Sequence, residues 1–430
     1  MRAMNYNEAL EYIHGVSWTF CKPGLERIGA LCDALGNPED SLKFIHVAGT
    51  NGKGSFCSML CSVLSEAGLK VGLYTSPYIL EFNERMRIGD APIPNDTLAR
   101  LTERIRPIAD SMSDKPTEFE LITAIALDYF REEQVDVVIL ECGMGGRLDS
   151  TNVIKTPILS VITGIALDHT AFLGDTVAAI AAEKAGIIKK GVPVLYGGED
   201  NVAAEVIEEA AKRQNAPYYR SDYSLLTVDS LTLLGTRFAY KKRKAVELSL
   251  LGIYQPKNAS LVLDALDILA PLLPTLTEEA IRIGLAKARW MARFEMISED
   301  PIFIFDGAHN PQGINAAVDG IKRYFNDRSL IAVSGVLRDK DYSAIAEKIA
   351  EIASHAFTIT PDNSRALSAS EYANELSKFG VNATATGSID EAVEAAFSLA
   401  KREKKSIVCL GSLYTYADVR ESVIKSKQRT

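Results

Sequence analysis

The chain has 430 residues, more than one hydrophobic core ordinarily serves, so two domains are expected. With 47% hydrophobic and 24% charged residues it has the composition of an ordinary globular protein, and a net charge of −9 excludes a broad nucleic-acid-binding surface, which needs basic excess to displace counterions. The acidic balance does not exclude anionic small molecules, because a local Lys, Arg or metal cluster overrides the global sign.

The N-terminus has scattered charges and no apolar core of signal-peptide length, and no run is long and apolar enough to span a membrane, so a cytoplasmic protein without a membrane partner is expected. From Leu42 to about Leu195, short apolar strands (LKFIHVAG, LKVGLYTS, VDVVILECG, ILSVITGI) alternate with helices that include Phe56–Ala67, Phe119–Glu132 and Thr176–Ile188. That alternation implies a mainly parallel sheet covered on both faces, with ligands at the strand C-termini. Tyr218 to about Leu251 reads as a small antiparallel appendage, followed by helices Pro256–Leu273 and Thr277–Trp290. Ser298–Pro301 reads as a linker, and PIFIFDG, LIAVSGV, HAFTIT and SIVCLGS begin a second α/β series. The expected architecture is α/β throughout: a P-loop ATPase-like domain over residues 1–296 and a Rossmann-like domain over 297–430. Cys21, Cys32, Cys57, Cys61, Cys142 and Cys409 form no CxxC pair or metal spacing and read as reduced, buried hydrophobes.

The segment HVAGTNGKGS, His46 to Ser55, lies between a strand and a helix and has the layout of a phosphate-cradling loop. Backbone N–H groups of Gly49, Thr50, Asn51, Gly52, Gly54 and Ser55 can surround a phosphate, the helix N-terminus adds partial positive charge, and Lys53 supplies a full one. The spacing is a variant: the first Gly of the common pattern falls on Val47, and the hydroxyl residue Ser55 comes after an inserted Gly54. A triphosphate in such a loop needs a divalent cation. Three strand ends offer ligands: Thr75-Ser76-Pro77, Glu141 and Asp168-His169. His169 alone also reads as a hydrogen-bonded structural histidine, whereas a carboxylate directly behind VDVVIL is costly without a partner. Lys184, in the apolar helix AAEKAGII, either snorkels to solvent or faces the phosphate site; periodicity does not separate the two. DGAHNPQG, Asp306 to Gly313, is either a turn and helix cap or a ligand edge, and Arg293 before the linker could reach ATP phosphates.

Taken together, the chain resembles the folylpolyglutamate synthase and dihydrofolate synthase family, relatives of the Mur peptide ligases. The resemblance runs through GLERI, HVAGTNGKGS, GLYTSPYI, FNERMRI, FELITAIAL, LECGMGGRLDSTN, ITGIALDHTAFLG, EKAGI, ARFE and DGAHNP in order, nearly the whole chain. It implies ATP-dependent ligation of L-glutamate to a pteroate or folate carboxylate through an acyl phosphate, with dihydropteroate and reduced folates as acceptors. By the same resemblance Gly49–Ser55 with Asn258, Arg293 and Asp306 hold ATP, and Ser76, Glu141 and His169 ligate Mg²⁺. Lys184 would join them once carbamylated, and Lys53, His169 and Lys184 form the catalytic set. Thr117, Glu118, Phe119, Glu120, Leu148, Asp149 and Ser150 match the pterin region; His309 and Ser412 match glutamate contacts. Two Mg²⁺ ions, an optional monovalent cation and a monomer are further implications. The chain departs from the family where Tyr254-Gln255 replaces His-Gln, Tyr78 replaces His, and Ala292 replaces Gly. Competing readings are a monofunctional folylpolyglutamate synthase, a Mur-type ligase for UDP-sugar peptides, and a P-loop switch ATPase.

Overall fold

The computed structural model describes residues 3–16, 24–325 and 329–428; Cys21 lies outside them. The chain forms two compact units, one of Met1–Leu226 with Lys257–Ala288, the other of Thr227–Pro256 with Arg289–Thr430. The division does not fall at a single chain position: the antiparallel appendage expected on the first domain groups with the second unit.

In the first unit the strands are β1 (Phe44–Ala48), β2 (Val71–Tyr74), β3 (Met86–Ile88), β4 (Ala91–Pro92), β5 (Val137–Glu141), β6 (Leu159–Ile162), β7 (Val194–Tyr196) and β8 (Tyr218–Arg220). They form one sheet in the order β4-β3-β2-β5-β1-β6-β7-β8. β2 through β8 in that order run parallel, while the β3/β4 hairpin lies antiparallel at the edge. β1 and β5 are buried at every position, as strands covered on both faces must be. Alternate residues Val138 and Leu140 join a core with helices Asn95–Ser111 and Glu118–Glu132.

The four apolar runs are strands as expected, but four further short strands carry no readable pattern; β4 is only the dipeptide Ala91–Pro92. Tyr218–Arg220, assigned above to the appendage, instead closes the main sheet as β8. The helix expected from Phe56 starts at Lys53, because Gly52 turns the chain in the left-handed region at φ 87° and the first helical turn is Lys53-Gly54-Ser55. Its second glycine hides that turn from a propensity reading.

In the second unit β9 (Leu226–Thr232), β10 (Gly235–Tyr240) and β11 (Arg243–Leu248) form a three-stranded sheet. β12 (Glu295–Glu299), β13 (Ile302–Phe305), β14 (Leu330–Ser334), β15 (Ala353–Thr358), β16 (Asn382–Ala385) and β17 (Ile407–Leu410) form a six-stranded sheet in the order β12-β13-β17-β14-β15-β16. Only β12 is antiparallel to its neighbour. Ser298 pairs with Phe303 and Glu299 with Ile302, so Ser298-Glu299 ends β12 and Asp300-Pro301 makes the hairpin turn to β13; the segment is not a linker. Ile304, Ala332, Val408 and Leu410 pack one face against helices Pro311–Tyr324 and Tyr342–Ala350. On the other, Phe303 stacks on Phe397 and Phe305 meets Tyr416 edge-on. Cys32, Cys57, Cys61, Cys142 and Cys409 are buried and free.

Candidate active site

In the first sheet β2, β5, β1 and β6 are consecutive, so the loops after them, carrying Ser76, Glu141, Gly49–Lys53 and His169, leave the same edge side by side. The phosphate loop is held from below by backbone and hydroxyl bonds. Thr163 Oγ1 donates to the Asn51 carbonyl at 2.7 Å, and Thr50 N–H donates to the Gly164 carbonyl at 2.8 Å. Thr50 Oγ1 accepts from Ala166 N–H at 3.1 Å. Gly49 cannot be replaced without moving Thr163, since a Cβ there would lie 1.8 Å from Thr163 Oγ1, and its φ of 149° is strained for any side chain. Asn258 lies beside the loop: a Cβ on Gly52 would lie 2.8 Å from its Oδ1.

Two lysines converge on one carbonyl. Lys53 Nζ donates to the Gly49 carbonyl at 3.0 Å and to that of Thr50 at 3.4 Å, and Lys184 Nζ donates to the same Gly49 carbonyl at 2.9 Å. Lys184 is 3% exposed, which decides its open reading: it faces the phosphate loop and does not snorkel to solvent. Burial, and then repulsion from Lys53, bring its ammonium down to about 8. The adjacent elements explain its placement. Arg147 N–H donates to the Glu183 carbonyl at 2.8 Å, and Asn152 Nδ2 donates to the Arg147 and Gly186 carbonyls at 3.0 and 3.2 Å. The GMGGRLDSTN loop is thus docked on the EKAGI helix, and the two motifs form one structural unit.

Glu141 ends β5 beside Val47 of β1, is 3% exposed, and accepts from Ser76 N–H at 3.3 Å. His169 is held at φ 49° at the start of helix Thr170–Leu173, with a half-exposed side chain whose Nε2 is 4.0 Å from Asp168 Oδ1. Among the described residues no group of three or more His, Cys, Asp or Glu side chains is gathered as a metal site. The expected donor set contains only two such groups, Glu141 and His169; its remainder is the Ser76 hydroxyl and a modified lysine. A carboxylate, a hydroxyl and an imidazole carried on the same sheet edge as a phosphate loop suit a hard divalent cation that keeps phosphate and water oxygens.

The expected pterin residues divide by role. Thr117 caps helix Glu118–Glu132 in a capping box, its Oγ1 accepting from Glu120 N–H at 3.2 Å while Glu120 accepts from Thr117 N–H at 2.6 Å. The buried Glu120 carboxylate also takes Arg27 Nε at 2.9 Å, so it is engaged within the protein. Glu120→Ala should therefore cost on the order of 3 kcal/mol by leaving Arg27 short of a buried partner, read as a lower urea or thermal midpoint. Glu118 and Phe119 are half-buried, and the Phe119 ring lies 6.0 Å from that of Tyr74. Leu148 is exposed; Asp149 and Ser150 are buried. Asp149 accepts from the N–H groups of Met144 at 2.8 Å and Thr151 at 3.1 Å, while burial raises its carboxyl above the usual range.

In the second unit, Asp306 Oδ2 accepts from Tyr254 Oη at 2.8 Å and Phe294 N–H at 3.0 Å, and its Oδ1 from Ala308 N–H at 2.8 Å. Burial raises this carboxyl, with Arg293 opposing. The departure at Tyr254 thus still supplies a polar partner, and Ala292 adopts φ 59°, a conformation in which glycine costs less. His309 and Ser412 follow the neighbouring strands β13 and β17, and Gly411 N–H donates to the Ala308 carbonyl at 3.2 Å. His309 Nδ1 lies 2.8 Å from the Gly307 carbonyl, and Ser412 caps the turn at Tyr414 N. The reading from motifs did not single out Thr163, Arg27 or Thr151. Thr163 sits in the quoted ITG run, but a hydroxyl that braces a loop has no spacing signature.

A glycine-rich loop with two converging lysines on a parallel sheet, followed by a second α/β unit, defines a Mur-type ligase. The Mur ligase middle domain matches residues 47–266, and the Mur ligase, glutamate ligase domain matches 292–413. The folylpolyglutamate synthase of Lacticaseibacillus casei is 37% identical over 99% of this chain and 100% of its own length. The dihydrofolate synthase/folylpolyglutamate synthase of Bacillus subtilis is 37% identical over 97% and 98%. A solved structure of Escherichia coli FolC in complex with DHPP and ADP superposes with a TM-score of 0.84 at 30% identity, covering 100% of this chain and 99% of that one. The chain belongs to the folylpolyglutamate synthase/dihydrofolate synthase family of the Mur ligases.

Proposed function

We propose that the protein joins L-glutamate to the carboxylate of dihydropteroate and of reduced folates, converting ATP to ADP and phosphate. The observation that carries this reading is the joint placement of Lys53 and Lys184 on the Gly49 carbonyl, with the GMGGRLDSTN loop docked on the Lys184 helix. It supports a reading in which the phosphate-binding charges and the acceptor loop share one framework. Relatives over the full chain length carry both synthase names, which supports the bifunctional form.

The chemistry is electrostatic first. An acceptor carboxylate oxygen attacks the γ-phosphorus, the bond to the β,γ-bridging oxygen breaks, and ADP leaves. The glutamate amine then attacks the acyl carbon, loses a proton, and phosphate departs. In the first step two anions must meet, and Lys53 with the loop N–H groups offsets that repulsion. Ser76, Glu141 and His169 would hold Mg²⁺, joined by Lys184 as its carbamate, and the ion adds positive charge at the phosphates. Asn258, Arg293 and Asp306 hold the nucleotide; Thr117–Glu120 and Leu148–Ser150 form the acceptor region, within which Glu120 serves as a brace. His309 and Ser412 receive glutamate. The free, buried cysteines among the described residues suit a cytoplasmic enzyme, and the family resemblance implies a monomer.

The test is ADP release with ATP, Mg²⁺ and glutamate, with dihydropteroate or tetrahydrofolate as acceptor. Glutamate-dependent turnover with both is expected. Activity with tetrahydrofolate alone would make it monofunctional, turnover only with UDP-linked peptides would make it a Mur-type ligase of the cell wall, and hydrolysis indifferent to glutamate would make it a switch ATPase.

A further inference from the structure

His46, on β1 three residues before the phosphate loop, is fully buried yet polar, and its neighbours form a directed chain of hydrogen bonds. Its Nε2 lies 2.9 Å from Thr151 Oγ1 and 3.2 Å from Cys142 Sγ. Thr151 Oγ1 in turn lies 2.5 Å from Asp149 Oδ1. A hydroxyl has one proton, and the short contact to a carboxylate is where it goes. Thr151 must therefore accept from His46, which fixes the proton on Nε2. Consistent with that tautomer, Nδ1 is buried with no hydrogen-bond partner among the described residues. The ring is neutral: burial, aided by Lys189, lowers it to about 3.

We infer that His46 is a positioning residue for the folate-acceptor site, its Nε2–H acting through the Thr151 hydroxyl to fix the orientation of the Asp149 carboxylate. This rests on the reading of Asp149 as an acceptor-binding residue. Asp149 Oδ1 takes Thr151 on one side and Oδ2 takes Met144 N–H on the other, so its plane is set at both oxygens. A leucine at 46 would fill the space but remove the donor to Thr151 Oγ1, so the hydroxyl would be held from the Asp149 side alone, with Cys142 Sγ 3.4 Å away as a competing partner. The same β1 residue thus links the strand that aims the phosphate loop to the loop that receives the acceptor, without touching either ligand.

Steady-state kinetics on three variants test this. His46→Leu should raise the KM for dihydropteroate or tetrahydrofolate about tenfold, with the KM for ATP changed less than about twofold. His46→Gln, whose amide N–H occupies the place of Nε2–H, should restore the acceptor KM. Thr151→Val, close in shape and lacking the relay hydroxyl, should reproduce the His46→Leu effect and stands in for it if that variant does not fold. A purely structural role would lower the melting temperature, or lower the active fraction and with it the apparent kcat, while both KM values stay unchanged or move together, which would overturn the inference. Asp149→Asn separates the two layers. If it leaves the acceptor KM unchanged, the reading of Asp149 fails; if it raises that KM while Thr151→Val does not, the relay alone fails.

Discussion

Lys53→Ala should abolish glutamate-dependent ADP release, a loss of roughly 10³-fold or more for a group that offsets charge in phosphoryl transfer. The fold should survive. Among the described residues the half-buried side chain donates to the carbonyls of Gly49 and Thr50 within its own loop, and the loop is braced independently by Thr163 and Gly164. Circular dichroism and the melting temperature should match the unaltered protein. Near-normal turnover in a folded variant would sink the assignment of the loop as the triphosphate site. The variant has a second consequence: removing the Lys53 charge relieves the repulsion on Lys184, so the Lys184 ammonium should move up from about 8. The activity loss should therefore exceed that of a lost phosphate contact alone.

What the sequence made legible follows the strength of the local signal. Long apolar runs such as VDVVIL gave up their strands because burial on both faces leaves no room for alternation. β12 and β16 were not readable. β12 is a half-buried edge strand of mixed polarity, and the neighbouring Asp300-Pro301 turn imitates a linker. β16, NATA, is mostly exposed. At the site, Lys53 and Glu141 stood out through motif and strand-end position, and Asn258, inside a helix, only through the family resemblance. Lys184 did not, because an apolar helix with one lysine reads equally as a solvent-facing stripe; only its bond to a carbonyl 135 residues away along the chain resolves the ambiguity. Glu120 shows the opposite case. It lies in a matching segment, yet its carboxylate is committed to a capping box and to Arg27, partners that no one-dimensional pattern reveals.

Lys184→Met should remove at least about 10²-fold of activity, because it deletes both the amine and any anionic ligand made from it. Its effect on stability should have the opposite sign. The unfolded lysine titrates near 10.5 and the folded one near 8, so below pH 8 the native state carries the full cost of a buried cation. At about 1.4 kcal/mol per unit this cost approaches about 3 kcal/mol, less about 1 kcal/mol for the bond to Gly49. Between pH 8 and 10.5 the unfolded chain binds more protons than the native state, so native stability rises with pH and the cost disappears. In CO₂-free buffer Lys184→Met should therefore be more resistant to urea than the parent at pH 7, and the advantage should vanish near pH 10. A variant less stable at pH 7 would mean that the ammonium is compensated where it sits. The lowered value also makes a neutral amine available near physiological pH, the form that captures CO₂. With ¹³C-bicarbonate, a carbamate carbonyl resonance should appear in the parent and be absent from Lys184→Met. If both spectra are blank under conditions of full turnover, Lys184 acts as a cation, and the metal must be held by Ser76, Glu141 and His169 without it.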